Sequence, residues 1–279
     1  MSTSYRSIPA WVYLSVVTNV VLGITLGLWF LGDRYFTDSL LKPYLSYASE
    51  ADEDAAMAVQ TPNLPENRSE LTYDDWVALL GKEATAIARK QPEQLMVLAG
   101  DSISLWFPPD LLPTDRTWLN QAISGDTATG LLKRLKVFED TKPQAVFVMI
   151  GINDLLKGKS DQEILADYEQ IITTLKKQHP KTKIVVQSVL PRAKEKVTGA
   201  NAQQVLDLSN ERIYQFNRRL AAMADQANVS FLDLQALFAD QEGFLRPELT
   251  TDGLHLSPQG YLVWRSAIQT FNQLALDKL

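Results

Sequence analysis

The chain has 279 residues, of which 46% are hydrophobic and 22% charged, and it carries a net charge of −6 and no cysteine. The acidic balance argues against a nucleic-acid partner, because phosphate recognition needs a basic surface. The missing cysteines exclude disulfides and thiolate chemistry, and the two histidines, His179 and His255, fit no metal-binding spacing, so we expect neither a metal nor another cofactor.

Residues 1–32 form an amino-terminal segment built around an apolar stretch from 11 to 31. No charged residue occurs between positions 7 and 32. A helix over 11–31 would be about 30 Å long, which matches the bilayer hydrocarbon. A cleaved signal peptide usually has a shorter apolar core with a cleavage site close behind it. The stretch therefore predicts an uncleaved, single-pass transmembrane helix.

Residues 33–70 have the composition of a tether. An acidic cluster at 50–54 is followed by Pro62 and Pro65, and no regular hydrophobic period is present. Basic residues on both sides of the apolar stretch do not decide its orientation. We expect the short amino tail inside the cell and the large domain on the extracytoplasmic side.

Residues 71–279 are expected to form the catalytic domain, beginning with an amphipathic helix over 72–90. Apolar strand patterns and longer helical patterns then alternate, which is typical of a parallel sheet covered by helices on both faces. The predicted fold is a three-layer α/β/α sandwich with a five-stranded parallel sheet. The candidate strands are 95–99, 119–123, 145–150, 184–189 and 229–232, and the candidate helices are 127–139, 161–178, 203–226 and 258–275.

Polar, glycine-containing turns follow the first three strands, and a fourth precedes the last helix. They are 100–102 (GDS), 124–127 (SGDT), 151–154 (GIND) and 252–255 (DGLH). Parallel strands place their carboxyl ends at one edge of a sheet, where α/β proteins bind ligands. One such turn alone is a weak signal, since Ser102 by itself would pass for a turn serine or a helix cap.

Taken together and in this order, the four turns resemble those of the SGNH hydrolases, also called the GDSL lipase/esterase family. The second block extends over NQAISGDT at 120–127, and Ile103 replaces the leucine that gives the family its name. The resemblance runs from about residue 95 to the carboxyl terminus and implies a flavodoxin-like fold and a serine esterase or lipase. The GxSxG motif of the α/β-hydrolases is absent.

The resemblance also implies the site residues. Ser102 would be the nucleophile, His255 the general base and Asp252 the carboxylate that orients the imidazole. A serine hydroxyl needs such a base to attack an ester. The oxyanion hole would consist of the backbone N–H groups of Ser102 and Gly125 and the side-chain amide of Asn153.

Substrate contacts are harder to predict. Trp106 and Phe107 follow the nucleophile and are candidates for the wall of an acyl pocket, with ordinary packing as the alternative. We expect a membrane-tethered serine esterase that hydrolyses an acyl or acetyl ester of a small molecule, lipid, thioester or acetylated glycan through an acyl-enzyme. The alternatives are an acyltransferase with a glycan hydroxyl acceptor and a non-catalytic binding module. The oligomeric state stays open.

Overall fold

The computed structural model describes residues 71–195 and 197–276. The predicted transmembrane helix at 11–31 and the predicted tether at 33–70 lie outside the described residues. Among the helices that are described, none is both long enough and apolar enough to cross a membrane.

A five-stranded sheet forms the centre of the described region. The strands are β1 (Leu95–Gly100), β2 (Thr117–Asn120), β3 (Ala145–Met149), β4 (Lys183–Gln187) and β5 (Ser230–Leu232). All four strand pairings are parallel, and the strand order is β2-β1-β3-β4-β5. The α/β fold and the five-stranded parallel sheet predicted from the sequence are thus confirmed.

The strands β1 and β3 are buried along their whole length. This explains their unbroken apolar sequences, since a parallel strand covered on both faces has no solvent side. In the strand order, β1 lies between β2 and β3. The chain therefore adds β2 on one side of β1 and the later strands on the other side, which makes the carboxyl end of β1 a topological switch point. Doubly wound sheets bind ligands in the crevice at this switch point.

The described helices are α1 (Tyr73–Lys90), α2 (Ser102–Leu105), α3 (Ala128–Arg134), α4 (Ile152–Leu156), α5 (Asp161–Gln178), α6 (Ala202–Asp207), α7 (Asn210–Gln226), α8 (Gln235–Phe238) and α9 (Pro258–Ala275). Their main contacts fall into two groups. In the first group α1 packs on the 3₁₀ turn after α3, α3 packs on α5, and α5 packs on α7; in the second, α9 packs on α8. Short 3₁₀ helices span Pro109–Leu111, Leu135–Phe138 and Pro247–Leu249.

Three predicted boundaries are corrected. The helix predicted over 203–226 is two helices, because Ser209 leaves helical geometry and its hydroxyl caps the start of α7 by accepting the Arg212 N–H. The helix predicted over 127–139 ends at Arg134 and continues as a 3₁₀ turn. The second strand ends at Asn120 rather than at Ile123.

Candidate active site

The turn at 100–102, called the nucleophile turn after the predicted role of Ser102, begins where β1 ends. A Cβ on Gly100 would lie 2.2 Å from the Met149 carbonyl oxygen, so only glycine allows this close approach to β3. The Asp101 carboxylate caps α2 by accepting the Ile103 N–H at 3.0 Å. Ser102 is thereby placed as the first residue of α2, and it is 6% exposed.

The side chains of Ser102, His255 and Asp252 form one hydrogen-bonded chain. Ser102 Oγ lies 2.9 Å from His255 Nε2, and His255 Nδ1 lies 2.7 Å from Asp252 Oδ2. Burial opposes ionisation of Asp252, but hydrogen bonds from the His255 ring and from the backbone N–H groups of His255 and Leu254 outweigh it and lower its pKa. An ionised Asp252 selects the tautomer with the proton on Nδ1, which leaves Nε2 free to accept the serine proton.

A tight turn carries the imidazole and its carboxylate. Gly253 has a φ of +91°, and a Cβ there would lie 2.8 Å from Val197 Cγ2. The segment after β4 braces this turn with two backbone hydrogen bonds, from the Ala193 N–H to the Gly253 carbonyl and from the Thr198 N–H to the Asp252 carbonyl. The segment after β4 therefore holds the turn that carries Asp252 and His255.

The turn after β2 lies against both the nucleophile turn and the turn after β3. The Ile123 N–H donates to the Gly100 carbonyl at 3.1 Å, and Gly125 adopts a φ of +74° that favours glycine. The Asn153 side-chain amide donates to the Asp126 carbonyl at 2.9 Å. Asn153 thus lies beside the turn that contains Gly125, and their role as oxyanion donors stays a prediction.

A buried carboxylate ties α4 to the start of α3. Asp154 Oδ2 accepts the Ala128 N–H at 2.9 Å, and its other oxygen lies 3.4 Å from the Lys159 ammonium. Burial raises the pKa of Asp154, and the hydrogen bond from Ala128 and the charge of Lys159 oppose this effect. The Asp154 side chain therefore connects the turns after β2 and β3 without contacting the serine.

The two aromatic residues after the nucleophile lie in different environments. Trp106 is 49% exposed and its ring contacts His255, with 4.1 Å between ring centroids and 36° between the ring planes. Phe107 is 2% exposed and packs between Tyr261 and Trp264, at 5.1 and 5.0 Å. The Phe107 side chain is in the core because it faces α9, whereas the Trp106 ring contacts His255. The role of these two residues as substrate contacts stays a prediction.

The second histidine lies elsewhere. His179 caps the carboxyl end of α5 and stacks on Phe138, and burial lowers its pKa. Within residues 71–195 and 197–276, no group of three or more histidine, aspartate or glutamate side chains is arranged to hold a metal ion.

A buried ion pair that was not predicted from the sequence lies beside the predicted oxyanion turn. Arg134 Nε donates to Asp126 Oδ2 at 2.7 Å, and both side chains are at most 3% exposed. The sequence did contain a signal, because Arg134 occupies the same apolar helix face as Leu131 and Leu135. A charge at such a position is rare unless it is paired.

Comparisons with known proteins identify a family and similar sequences. Residues 99–263 match the model of the GDSL-like Lipase/Acylhydrolase family. The rat platelet-activating factor acetylhydrolase IB subunit alpha2 is 26% identical over 214 residues, covering 71% of this chain and 84% of that protein. The isoamyl acetate-hydrolyzing esterase of Saccharomyces cerevisiae is 26% identical over 166 residues, covering 55% and 69%.

A solved structure shares the fold. The crystal structure of a GDSL-like lipase from Bacteroides thetaiotaomicron superposes with a TM-score of 0.60 at 24% identity, covering 72% of this chain and 100% of that one.

Proposed function

The chain belongs to the GDSL-like lipase/acylhydrolase family of serine ester hydrolases, and from this premise we propose that it cleaves short acyl esters, acetyl esters foremost, through an acyl-Ser102 intermediate. The observation that carries the proposal is the hydrogen-bonded chain from Ser102 Oγ through the His255 imidazole to the Asp252 carboxylate. This arrangement activates a serine hydroxyl towards an ester carbonyl.

The reaction follows from the positions of these groups. Ser102 Oγ attacks the acyl carbon while His255 Nε2 takes its proton, and the carbonyl oxygen becomes an oxyanion. The N–H groups of Ser102 and Gly125 and the Asn153 amide stabilise that charge. The intermediate collapses as His255 returns the proton to the leaving alcohol. Water, deprotonated by the same imidazole, then releases the acid and restores Ser102.

Two observations support a short acyl group. Ser102 is only 6% exposed, and the Trp106 ring lies against the imidazole beside it, with 4.1 Å between ring centroids. The names of two relatives, platelet-activating factor acetylhydrolase and isoamyl acetate-hydrolyzing esterase, both refer to acetyl esters. Lipid, thioester and glycan leaving groups are all compatible with this proposal.

The first test is covalent labelling of the full chain with a fluorophosphonate, followed by intact mass. We expect one phosphonyl adduct on the parent chain and none on Ser102→Ala, with His255→Ala as a second unreactive control. A folded parent chain that takes up no adduct would instead favour the non-catalytic binding module.

The acyl preference needs a separate measurement. With p-nitrophenyl acetate, butyrate and octanoate, we expect kcat/KM to be highest for acetate. A kcat/KM that rises with chain length would refute the short-acyl proposal while leaving the role of Ser102 intact. Adding an acetyl acceptor such as a glycan separates hydrolysis from transfer, since transfer forms an acetylated acceptor in place of free acetate.

The proposal includes membrane tethering through residues 11–31, with the domain from residue 71 on the extracytoplasmic side. It is supported by the uncharged stretch from 7 to 32. We expect the full chain to stay in the membrane pellet after alkaline carbonate extraction, whereas a chain lacking residues 1–32 is released. Protease added outside intact cells or spheroplasts should digest the domain, and protection from protease would reverse the orientation.

A further inference from the structure

Arg134 lies at the end of α3 and connects two turns of the candidate active site. Its guanidinium donates to the Gly100 carbonyl at 3.1 Å, to the Gln121 carbonyl at 2.5 Å and to Asp126 Oδ2 at 2.7 Å. Gly100 precedes the nucleophile turn, Gln121 follows β2, and Asp126 is next to Gly125. One planar side chain therefore sets the spacing between the nucleophile and the turn proposed to bind the oxyanion.

Asp126 extends this connection to Asn153. One carboxylate oxygen of Asp126 binds Arg134, and the other accepts the Thr127 N–H at 2.9 Å. The carbonyl of Asp126 accepts the Asn153 amide at 2.9 Å. Since Asp126 follows Gly125 directly, its orientation fixes both the peptide after Gly125 and the Asn153 side chain. Both proposed donors outside Ser102 thus depend on the Arg134–Asp126 pair.

Gly130 gives an independent indication that the position of Asp126 is specified. A Cβ on Gly130 would lie 1.8 Å from Asp126 Oδ1, so the carboxylate occupies the space that any larger residue would need. Glycine inside a helix is about 1 kcal/mol less favourable than alanine. Local helix stability therefore does not explain this glycine, whereas room for the Asp126 carboxylate does.

Stability also does not explain the ion pair. Taking two charges out of water costs several kcal/mol for each ion, and apolar replacements of buried pairs are often neutral or stabilising. What the pair does supply is a fixed geometry between turns that no strand pairing holds. We propose that Arg134 is a positioning residue, which through Asp126 aligns the Gly125 N–H and the Asn153 amide with the oxyanion. The inference rests on the proposed function.

The test compares Arg134→Met, Arg134→Lys and Gly130→Ala with the parent chain, all full length. Arg212→Met is the matched control, because Arg212 also forms an ion pair, with Asp161, but joins α7 to α5 away from the serine. The readouts are kcat and KM for p-nitrophenyl acetate, the rate of phosphonylation by a fluorophosphonate, and the midpoint of thermal unfolding.

Loss of a whole oxyanion donor costs about 100- to 1,000-fold in rate. Misaligned oxyanion donors should cost less rate than a missing donor. We therefore expect Arg134→Met and Gly130→Ala to lower kcat and the phosphonylation rate by about 10- to 100-fold, with KM within about twofold of the parent value. Arg134→Lys, which keeps the charge but not the three-way contact, should fall between them and the parent chain. Arg212→Met should keep the parent kcat.

A folded Arg134→Met with the parent kcat would overturn the inference. If Arg134→Met does not fold, Gly130→Ala decides alone, since it removes no charge and adds a good helix former; an unchanged kcat in that variant is the overturning result. The two failures are distinguishable. An unreactive parent chain refutes the proposed function and this inference with it, whereas a reactive parent chain whose variants react equally fast refutes only the role of Arg134.

Discussion

The carboxyl of Asp101 is buried directly beside the nucleophile, and replacing it with asparagine should change how stability depends on pH. Asp101 is 1% exposed. Its Oδ1 accepts the Ile103 N–H at 3.0 Å, while Oδ2 has no hydrogen-bond partner among the described residues. Burial, reinforced by the charges of Asp126 and Asp154, raises the pKa of Asp101 from 3.8 to about 7.

The size of the effect follows from this shift. The native chain binds the Asp101 proton more tightly than the unfolded chain, whose aspartate keeps its ordinary pKa near 3.8. The free energy of unfolding therefore falls as pH rises from about 4 to about 7. At about 1.36 kcal/mol per pKa unit, the loss from this group is about 4 kcal/mol. Asparagine keeps the acceptor for the Ile103 N–H and has no charge to bury, so Asp101→Asn should escape that loss.

The assay is urea unfolding of the full chain at several pH values, followed by tryptophan fluorescence. Asp101→Asn should match the parent chain near pH 4 and exceed it by about 4 kcal/mol near pH 8. Asp110→Asn is the control for the loss of an aspartate as such, because Asp110 is exposed. A difference for Asp101→Asn that stays constant from pH 4 to pH 8 would refute the reasoning.

Three further predictions concern Asp252 and Gly253, which lie in the turn of His255, and Trp106, which contacts the His255 ring. Asp252→Asn should lower kcat on the order of 10⁴-fold, as in serine proteases, because an amide facing Nδ1 selects the wrong tautomer of His255; steady-state kinetics would show whether the loss is this large. Trp106→Ala should lower kcat/KM by about two- to tenfold, since an aromatic pair in contact contributes about 0.5–1.5 kcal/mol, and Trp106→Phe should restore most of it. Gly253→Ala should lower both the thermal midpoint and kcat, because its φ of +91° and the contact with Val197 leave no room for a Cβ; an unchanged midpoint would contradict this account.

The sheet could be predicted because its strands are nearly uniform apolar segments that end at glycine or polar turns. The starts of the long helices α1 and α5 were equally readable, since Thr72 with Asp75 and Ser160 with Glu163 form capping boxes. The break between α6 and α7 could not be predicted in this way. Ser209 stands within a sequence whose hydrophobic period continues on both sides, and only the hydroxyl cap seen in the structure separates two helices there.

Within the candidate site, too, local contacts could be predicted from the sequence and tertiary contacts could not. Asp252 and His255 are three residues apart in one turn, so their contact is local and the sequence contains it. Trp106 and Phe107 are adjacent in sequence, but Trp106 is exposed and Phe107 is buried. The difference depends on α9, which lies about 150 residues further along the chain and packs against the Phe107 ring. No local pattern distinguishes the two aromatic residues, because the deciding contact is tertiary.

The groups proposed for catalysis stand on four separate turns, and the parallel sheet fixes only where each turn begins. Beyond the ends of β1, β2 and β3, a backbone hydrogen bond from Ile123 to Gly100 helps to set the spacing between turns. Side chains that reach from one turn to another add to it: Arg134 to Gly100 and Asp126, and Asn153 to Asp126. These contacts are buried and polar, so each costs desolvation that an apolar contact would not. Such a design maintains alignment at the expense of stability. Substitutions of these linking residues should therefore lower kcat by more than their loss of folding free energy explains. Substitutions in the apolar core should instead lower the free energy of unfolding before they lower kcat.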